Sequence, residues 1–209
     1  MAPRAWFADT AEPVPHGMVT DAFLLRPITA ADAPADHEAI METRDELRVW
    51  EQSAWPEDDF TVAANREDLA GLEQRHRERR AFTYTVRDAS DERCVGCVYV
   101  FPTTAAFLAR SAVAALGDDR WEDVGAVVYF WLRRSARELE EPLLNALRSW
   151  FAEAWRREPT VFVANERFTR QVDLLSGSGL TRAFEVREPG KPGAYLGFVD
   201  GRVRRSRPA

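Results

Sequence analysis

Residues 124–132 read VGAVVYFWL, nine positions without a charge or a helix breaker of the proline kind. A run that is apolar on both faces is what a strand at the centre of a sheet presents. Downstream, Leu139, Leu143, Leu147, Trp150 and Ala154, with Leu144, Phe151 and Trp155 beside them, form the wide apolar face of an amphipathic helix. A short strand at 160–164 (TVFVA), a helix at 168–175 and its exit at Gly177 and Gly179 come next. Two last strands, at 183–187 and 194–199, flank a Pro-Gly turn at 189–193.

Upstream the period is also that of strands. Residues 82–86 (FTYTV) alternate, 88–92 make a turn, and 94–101 (CVGCVYVF) form a second β-rich run closed by Pro102. A small-residue and polar insertion at 103–119 separates this hairpin from the central strand. Earlier still, a strand at 22–26 stops at Pro27, and Thr29 and Asp32 offer caps for a helix on which Ile40, Thr43, Leu47 and Trp50 share a face. A loop at 53–60 leads to a second helix at 65–80, capped by Asn65 with Asp68 and carrying a thin stripe of Leu69 and Leu72. The order is β-α-α-β-β-β-α-β-α-β-β without internal repeats, which predicts a mixed α/β or α+β fold. Residues 1–20 read as an irregular leader, 21–200 as a single domain, and 201–209 as a basic tail carrying Arg202, Arg204, Arg205 and Arg207.

With 209 residues, 45% of them hydrophobic and 30% charged, the chain excludes a disordered protein, a collagen-like repeat and a disulfide scaffold. No apolar run approaches the ~20 residues of a membrane span, and the first residues are too interrupted for a signal peptide. Cys94 and Cys97 are the only cysteines, so a cytoplasmic protein is expected. A net charge of −6 argues against nucleic acid as a partner.

The element order, with its start at Leu24, Leu25, Arg26 and Pro27, resembles the GCN5-related N-acetyltransferase (GNAT) superfamily. Residues 94–101 look like that family's third strand, 124–132 and the helix after it like its coenzyme A segment. Asn165, Gln171, Gly179 and Leu180 resemble its last motif. The resemblance spans about residues 22–187. It implies a mostly antiparallel central sheet flanked by helices, acetyl-CoA as co-substrate between two splayed strands, and transfer of an acyl group to an amine.

The resemblance also assigns roles. The cofactor's pyrophosphate rests on backbone amides at a helix N-terminus in that family, a natural anion site. Here Arg133, Arg134 and Arg137 supply the positive charge, and Asn165 and Gln171 the amides for the pantetheine chain. The family's loop opens on Gln or Arg and places small residues three and five positions later. Arg137 matches the opening, but Glu140 and Pro142 stand at the small positions, and Pro142 has no amide proton. Many relatives protonate the leaving thiolate with a tyrosine, where this chain has Leu175; Tyr129 is the substitute. Asp123 or Glu122, just ahead of the central strand, is the candidate base. Trp55 and Phe60 lie in the segment that walls the acceptor pocket.

The expected partners are a small-molecule or peptide amine, not nucleic acid or a membrane, with a homodimer left open. Two alternatives stand beside this reading: a non-catalytic GNAT-fold binding or regulatory protein, and a GNAT-fold enzyme repurposed for another small ligand. No metal is expected. Cys94 and Cys97 have redox spacing, but a second ligand pair is absent and a flat strand points them to opposite faces unless Gly96 marks a bulge.

Overall fold

The computed structural model describes residues 13–155 and 159–200. Its described strands are β1 (Met18–Val19), β2 (Phe23–Pro27), β3 (Phe82–Asp88), β4 (Cys94–Phe101), β5 (Ala112–Ala115), β6 (Ala126–Leu132), β7 (Thr160–Asn165), β8 (Thr181–Arg187) and β9 (Tyr195–Val199). They form one sheet in the order β1-β2-β3-β4-β6-β7-β9-β8-β5. Every neighbouring pair is antiparallel except β6 and β7. The mixed, mostly antiparallel sheet flanked by helices is as expected.

Two elements were not expected. The end of the leader supplies β1, which pairs Met18 with Leu25, and the insertion supplies β5, which pairs Ala112–Ala115 with β8. Both are short, with a single valine each among methionine or alanines, too few residues to show an alternating pattern, and pairing to a neighbouring strand defines them. The tail at 201–209 lies outside the described residues.

Period two sorts β6 between two cores. Ala126, Val128, Phe130 and Leu132 face α3 (Glu140–Trp150), the π-turn Phe151–Trp155 and α4 (Thr169–Gly177). Val127, Tyr129 and Trp131 face α1 (Ala33–Glu51) and α2 (Val62–Arg77). Gly96 on β4 is required by close approach: a Cβ there would lie 2.1 Å from the Trp131 carbonyl oxygen.

Helix α1 matters most for the site. Its entrance is held by Asp32, whose carboxylate accepts the Thr29 amide at 2.8 Å and the Arg26 guanidinium at 2.6 and 3.0 Å. Ala39, Ile40, Thr43, Leu47 and Trp50 are buried along one face, the predicted 3.6 periodicity. For α2, Thr61 rather than Asn65 is the cap, its hydroxyl accepting the Ala64 amide at 3.1 Å. Asn65 lies inside that helix, buried, and its side-chain amide donates to Asp36 at 2.9 Å and to the Ala33 carbonyl at 3.1 Å.

The register of β3 and β4 slips between Val86 and Arg87, opposite Gly96 and Cys94. This bulge brings both thiols to the α1 side, where Cys97 and Cys94 donate to the buried Asp36 carboxyl at 3.4 and 3.7 Å. Among the described residues no helix is long and apolar enough to cross a membrane, and no group of three or more His, Cys, Asp or Glu could hold a metal ion.

Candidate active site

The parallel strands β6 and β7 stay together for three pairs only, Ala126 with Thr160, Val127 with Val161 and Val128 with Phe162. Past these, β6 follows β4 as far as Leu132 and β7 follows β9 as far as Asn165. The sheet therefore forks at Tyr129 and Val163. Inside a sheet, a fork leaves backbone groups that must find other partners.

Here the chain supplies them from both faces. The Phe130 carbonyl accepts Trp50 Nε1 from α1 at 3.1 Å and Gln171 Nε2 from α4 at 2.8 Å. Asn165 Nδ2, on the opposite arm, donates to the Val49 carbonyl, and its Oδ1 accepts the Arg167 amide at 2.8 Å. The last turn of α1 thus spans both arms. Gln171 is 2% exposed, and its Oε1 has no hydrogen-bond donor among the described residues.

Where β6 ends, the chain turns into α3 through a 3₁₀ segment, Arg134–Leu139. The donors here are also taken. Glu42 accepts the Ser135 amide at 2.7 Å and Arg133 Nε at 2.8 Å, with a second, shorter contact to Nη2. Thr43 Oγ1 accepts the Arg134 amide at 3.0 Å. Arg133, buried, also reaches Glu38 at 3.1 Å and the Cys94 carbonyl at 3.2 Å. Arg137 pairs with Glu46, as does Arg170 at 2.7 Å, and Arg170 continues to Glu140 at 2.5 Å. Hydrogen bonding to Arg133 holds the Glu42 carboxyl down at about 2. Arg134 is exposed on the rim of a shallow depression lined by Met41–Glu46. The acids that meet the predicted phosphate arginines are therefore mainly Glu38, Glu42 and Glu46 of α1, one helical stripe.

At the apex of the fork, Tyr129 donates to Glu188 Oε1 at 3.0 Å. Its ring meets those of Tyr195, Phe101, Phe107 and Trp50, with centroids 5.8–6.3 Å apart. Burial raises both the Tyr129 hydroxyl and the Glu188 carboxyl; for Glu188 the Tyr129 bond works against the rise and the nearby Glu51 with it. The 189–193 turn is tied to the end of α1: Lys191 Nζ donates to Glu51, and the Gly193 amide to Gln52 Oε1 at 2.7 Å.

Of the predicted site residues, the structure gathers Tyr129, Arg133, Asn165 and Gln171 around the fork, with Arg134 and Arg137 on its outer lip. Glu122 and Asp123 are elsewhere. They sit exposed in the turn Trp121–Asp123, at the joined end of β6, the whole strand away from Arg133. Trp55 and Phe60 stack edge to face on each other at 5.8 Å, and Phe60 lies on His37 at 5.9 Å. They are half-buried and outside the Tyr129 ring cluster. Glu188 was missed because a turn acid looks solvated until Tyr129 is folded over it. The stripe at Glu38, Glu42 and Glu46 was visible as spacing, but its partners lie 91 to 124 residues on.

No protein-family model and no curated protein sequence matches the chain. Solved structures do match. Ribosomal-protein-S5-alanine acetyltransferase from Vibrio fischeri superposes with a TM-score of 0.64 at 16% identity, over 88% of this chain and 97% of that one. A putative ribosomal-protein-serine acetyltransferase from Vibrio cholerae gives 0.65 at 17%, over 88% and 95%. The fold is that of the GNAT superfamily. A third GNAT-fold structure, the microcin C7 self-immunity acetyltransferase MccE in complex with acetyl-CoA and AMP, gives 0.62 at 12%, over 90% and 98%. At these identities the shared property is the GNAT fold.

Proposed function

We propose that the protein is an acyl-CoA-dependent N-acyltransferase acting on a small-molecule or peptide amine at the apex of the β6–β7 fork. The observation that carries this reading is the fork with Gln171 in it, a buried amide whose oxygen lacks a donor among the described residues. An unsatisfied buried acceptor costs about 1–3 kcal/mol, and the amide N–H of a pantetheine chain is the donor it lacks. The neighbours add support, since two are acetyltransferases of ribosomal proteins by name and one was solved with acetyl-CoA.

Gln171 would hold the amide-bearing arm of the cofactor, with Asn165 beside it already serving Val49 and Arg167, and Arg133, Arg134 and Arg137 would hold its diphosphate. When bound, the group supplies an acyl thioester, the electrophile for an amine. At the diphosphate end the fit fails as the residues stand, because Glu42, Thr43 and Glu46 already hold the donors. Glu188 accepts a proton from the incoming ammonium, and its raised pKa brings it nearer the working pH of a general base. Tyr129 stays protonated and fixes that carboxylate at the apex.

A second reading, a GNAT-fold binding protein without acyl transfer, is favoured by the occupied diphosphate end. An acetylation assay over small amines and N-terminal peptides, with acetyl-CoA, tests the first. Glu188→Gln is expected to lower kcat about 100-fold at unchanged KM. An active enzyme indifferent to this substitution would remove Glu188 as the base, and a wild-type protein inert on all amines would leave the second reading.

A further inference from the structure

Glu38, Glu42 and Glu46 recur every four residues on α1 and meet Arg133, Arg137 and Arg170 across the mouth of the fork. Glu42 makes the contacts an anionic ligand would make there, a backbone amide and a guanidinium together. Two turns further along the same helix, Trp50 caps the Phe130 carbonyl inside the fork. One helix therefore reaches both the charged end of the fork and its apolar interior.

We propose that α1 is a self-inhibitory latch, in which the chain's own carboxylates occupy the anion-binding end of the cleft and must withdraw before a nucleotide diphosphate can enter. The proposal rests on the acyl-CoA reading above and deepens it. A ligand that binds only the open form has its affinity reduced by the fraction of molecules that are open. The latch thus sets how much acyl-CoA is needed, and anything that draws the α1 acids away would switch the protein on. Glu38 is 71% exposed and water competes for it, whereas Glu42 and Glu46 are 21% exposed and hold the latch.

The test is calorimetric titration of coenzyme A into the full-length wild type, Glu42→Gln, Glu46→Gln and Glu141→Gln. Glu141 is an exposed acid at the start of α3 that controls for the general removal of negative charge near a polyanion. The expected result is binding at least tenfold tighter for Glu42→Gln, a smaller gain for Glu46→Gln, and less than threefold for Glu141→Gln. Hydrogen exchange supplies a second readout, and the Ser135 amide should exchange faster in Glu42→Gln before any ligand is added. If Glu42→Gln is folded too poorly to titrate, Glu46→Gln decides by the same comparison with Glu141→Gln. Equal, tight binding by wild type and variants overturns the latch and leaves the acyl-CoA reading standing. Equal gains from all three variants also overturn the latch, as a charge effect. Folded variants that ignore millimolar coenzyme A overturn both.

Discussion

Two carboxylates on the same helix, Asp36 and Glu42, have opposite fates. Asp36 lies 2% exposed under the sheet with the Asn65 amide and two thiols as its side-chain donors among the described residues, and burial pushes its carboxyl above the ordinary range. Glu42, less than two turns on, meets a guanidinium and a backbone amide, and Arg133 draws it down to about 2. The difference is one of partners: a carboxylate is favoured as the anion only where the protein returns the hydration it removed. Asp36 is thus held by neutral donors, whereas Glu42 is held by an ion pair that a competing anion can replace.

The largest effects come from removing the groups that tie α1 to the fork. Trp50→Ala takes away a buried indole and its bond to the Phe130 carbonyl, and should cost about 3–5 kcal/mol in urea unfolding. Arg133→Ala leaves Glu42 with the Ser135 amide but no guanidinium, takes the Nη1 donor from the Cys94 carbonyl, and should cost about 3 kcal/mol. A loss below about 1 kcal/mol in Arg133→Ala would mean that water already serves Glu42, and the contrast between the two acids would vanish.

The acids themselves give opposite pH responses. The native Asp36 carboxyl binds its proton more tightly than the unfolded one, so its contribution is greatest in acid and declines as pH rises from the ordinary carboxylate range through its raised value. The native Glu42 carboxyl binds its proton less tightly, so its contribution is full above the ordinary range and is lost as pH falls toward about 2. Asp36→Asn should therefore gain about 1 kcal/mol at neutral pH and flatten the decline on the alkaline side. Glu42→Gln should remove part of the acid-side loss. Urea midpoints measured from about pH 3 to 8 separate the two slopes, and a steeper alkaline decline in Asp36→Asn would contradict the burial argument.

The same contrast marks how far the amino-acid pattern could be read. The face of α1 that packs on the sheet was legible, because Ile40, Thr43, Leu47 and Trp50 repeat with the helical period. So were the central strand and the helix after it, where apolar content decides. The short strands β1 and β5 were not, since Met18, Val19 and a row of small residues carry no pattern apart from their partners. At the fork, residue types were legible and their commitments were not. Arg133 reads as a phosphate ligand by type and place, but its charge is spent on Glu38 and Glu42, 95 and 91 positions away in the chain. Asn65 reads as a cap, and its amide serves Asp36 instead. Polar side chains are fixed by tertiary partners, and periodicity does not reveal those.

The finest test is Glu38→Gln. Glu38 and Glu42 both bind Arg133, at 3.1 Å and at closer range, so geometry alone would rank them near each other. Their surroundings differ: 71% of the Glu38 side chain is exposed, against 21% for Glu42. An exposed ion pair gains little over hydration and gives up side-chain freedom, so its net contribution is on the order of 0–0.5 kcal/mol. Glu38→Gln should therefore shift the urea midpoint by no more than that, and the shift should disappear in about 0.5 M salt. A loss comparable to that of Arg133→Ala would instead make the three-residue cluster a single coupled unit, and Glu38 would join Glu42 and Glu46 in holding α1 across the cleft.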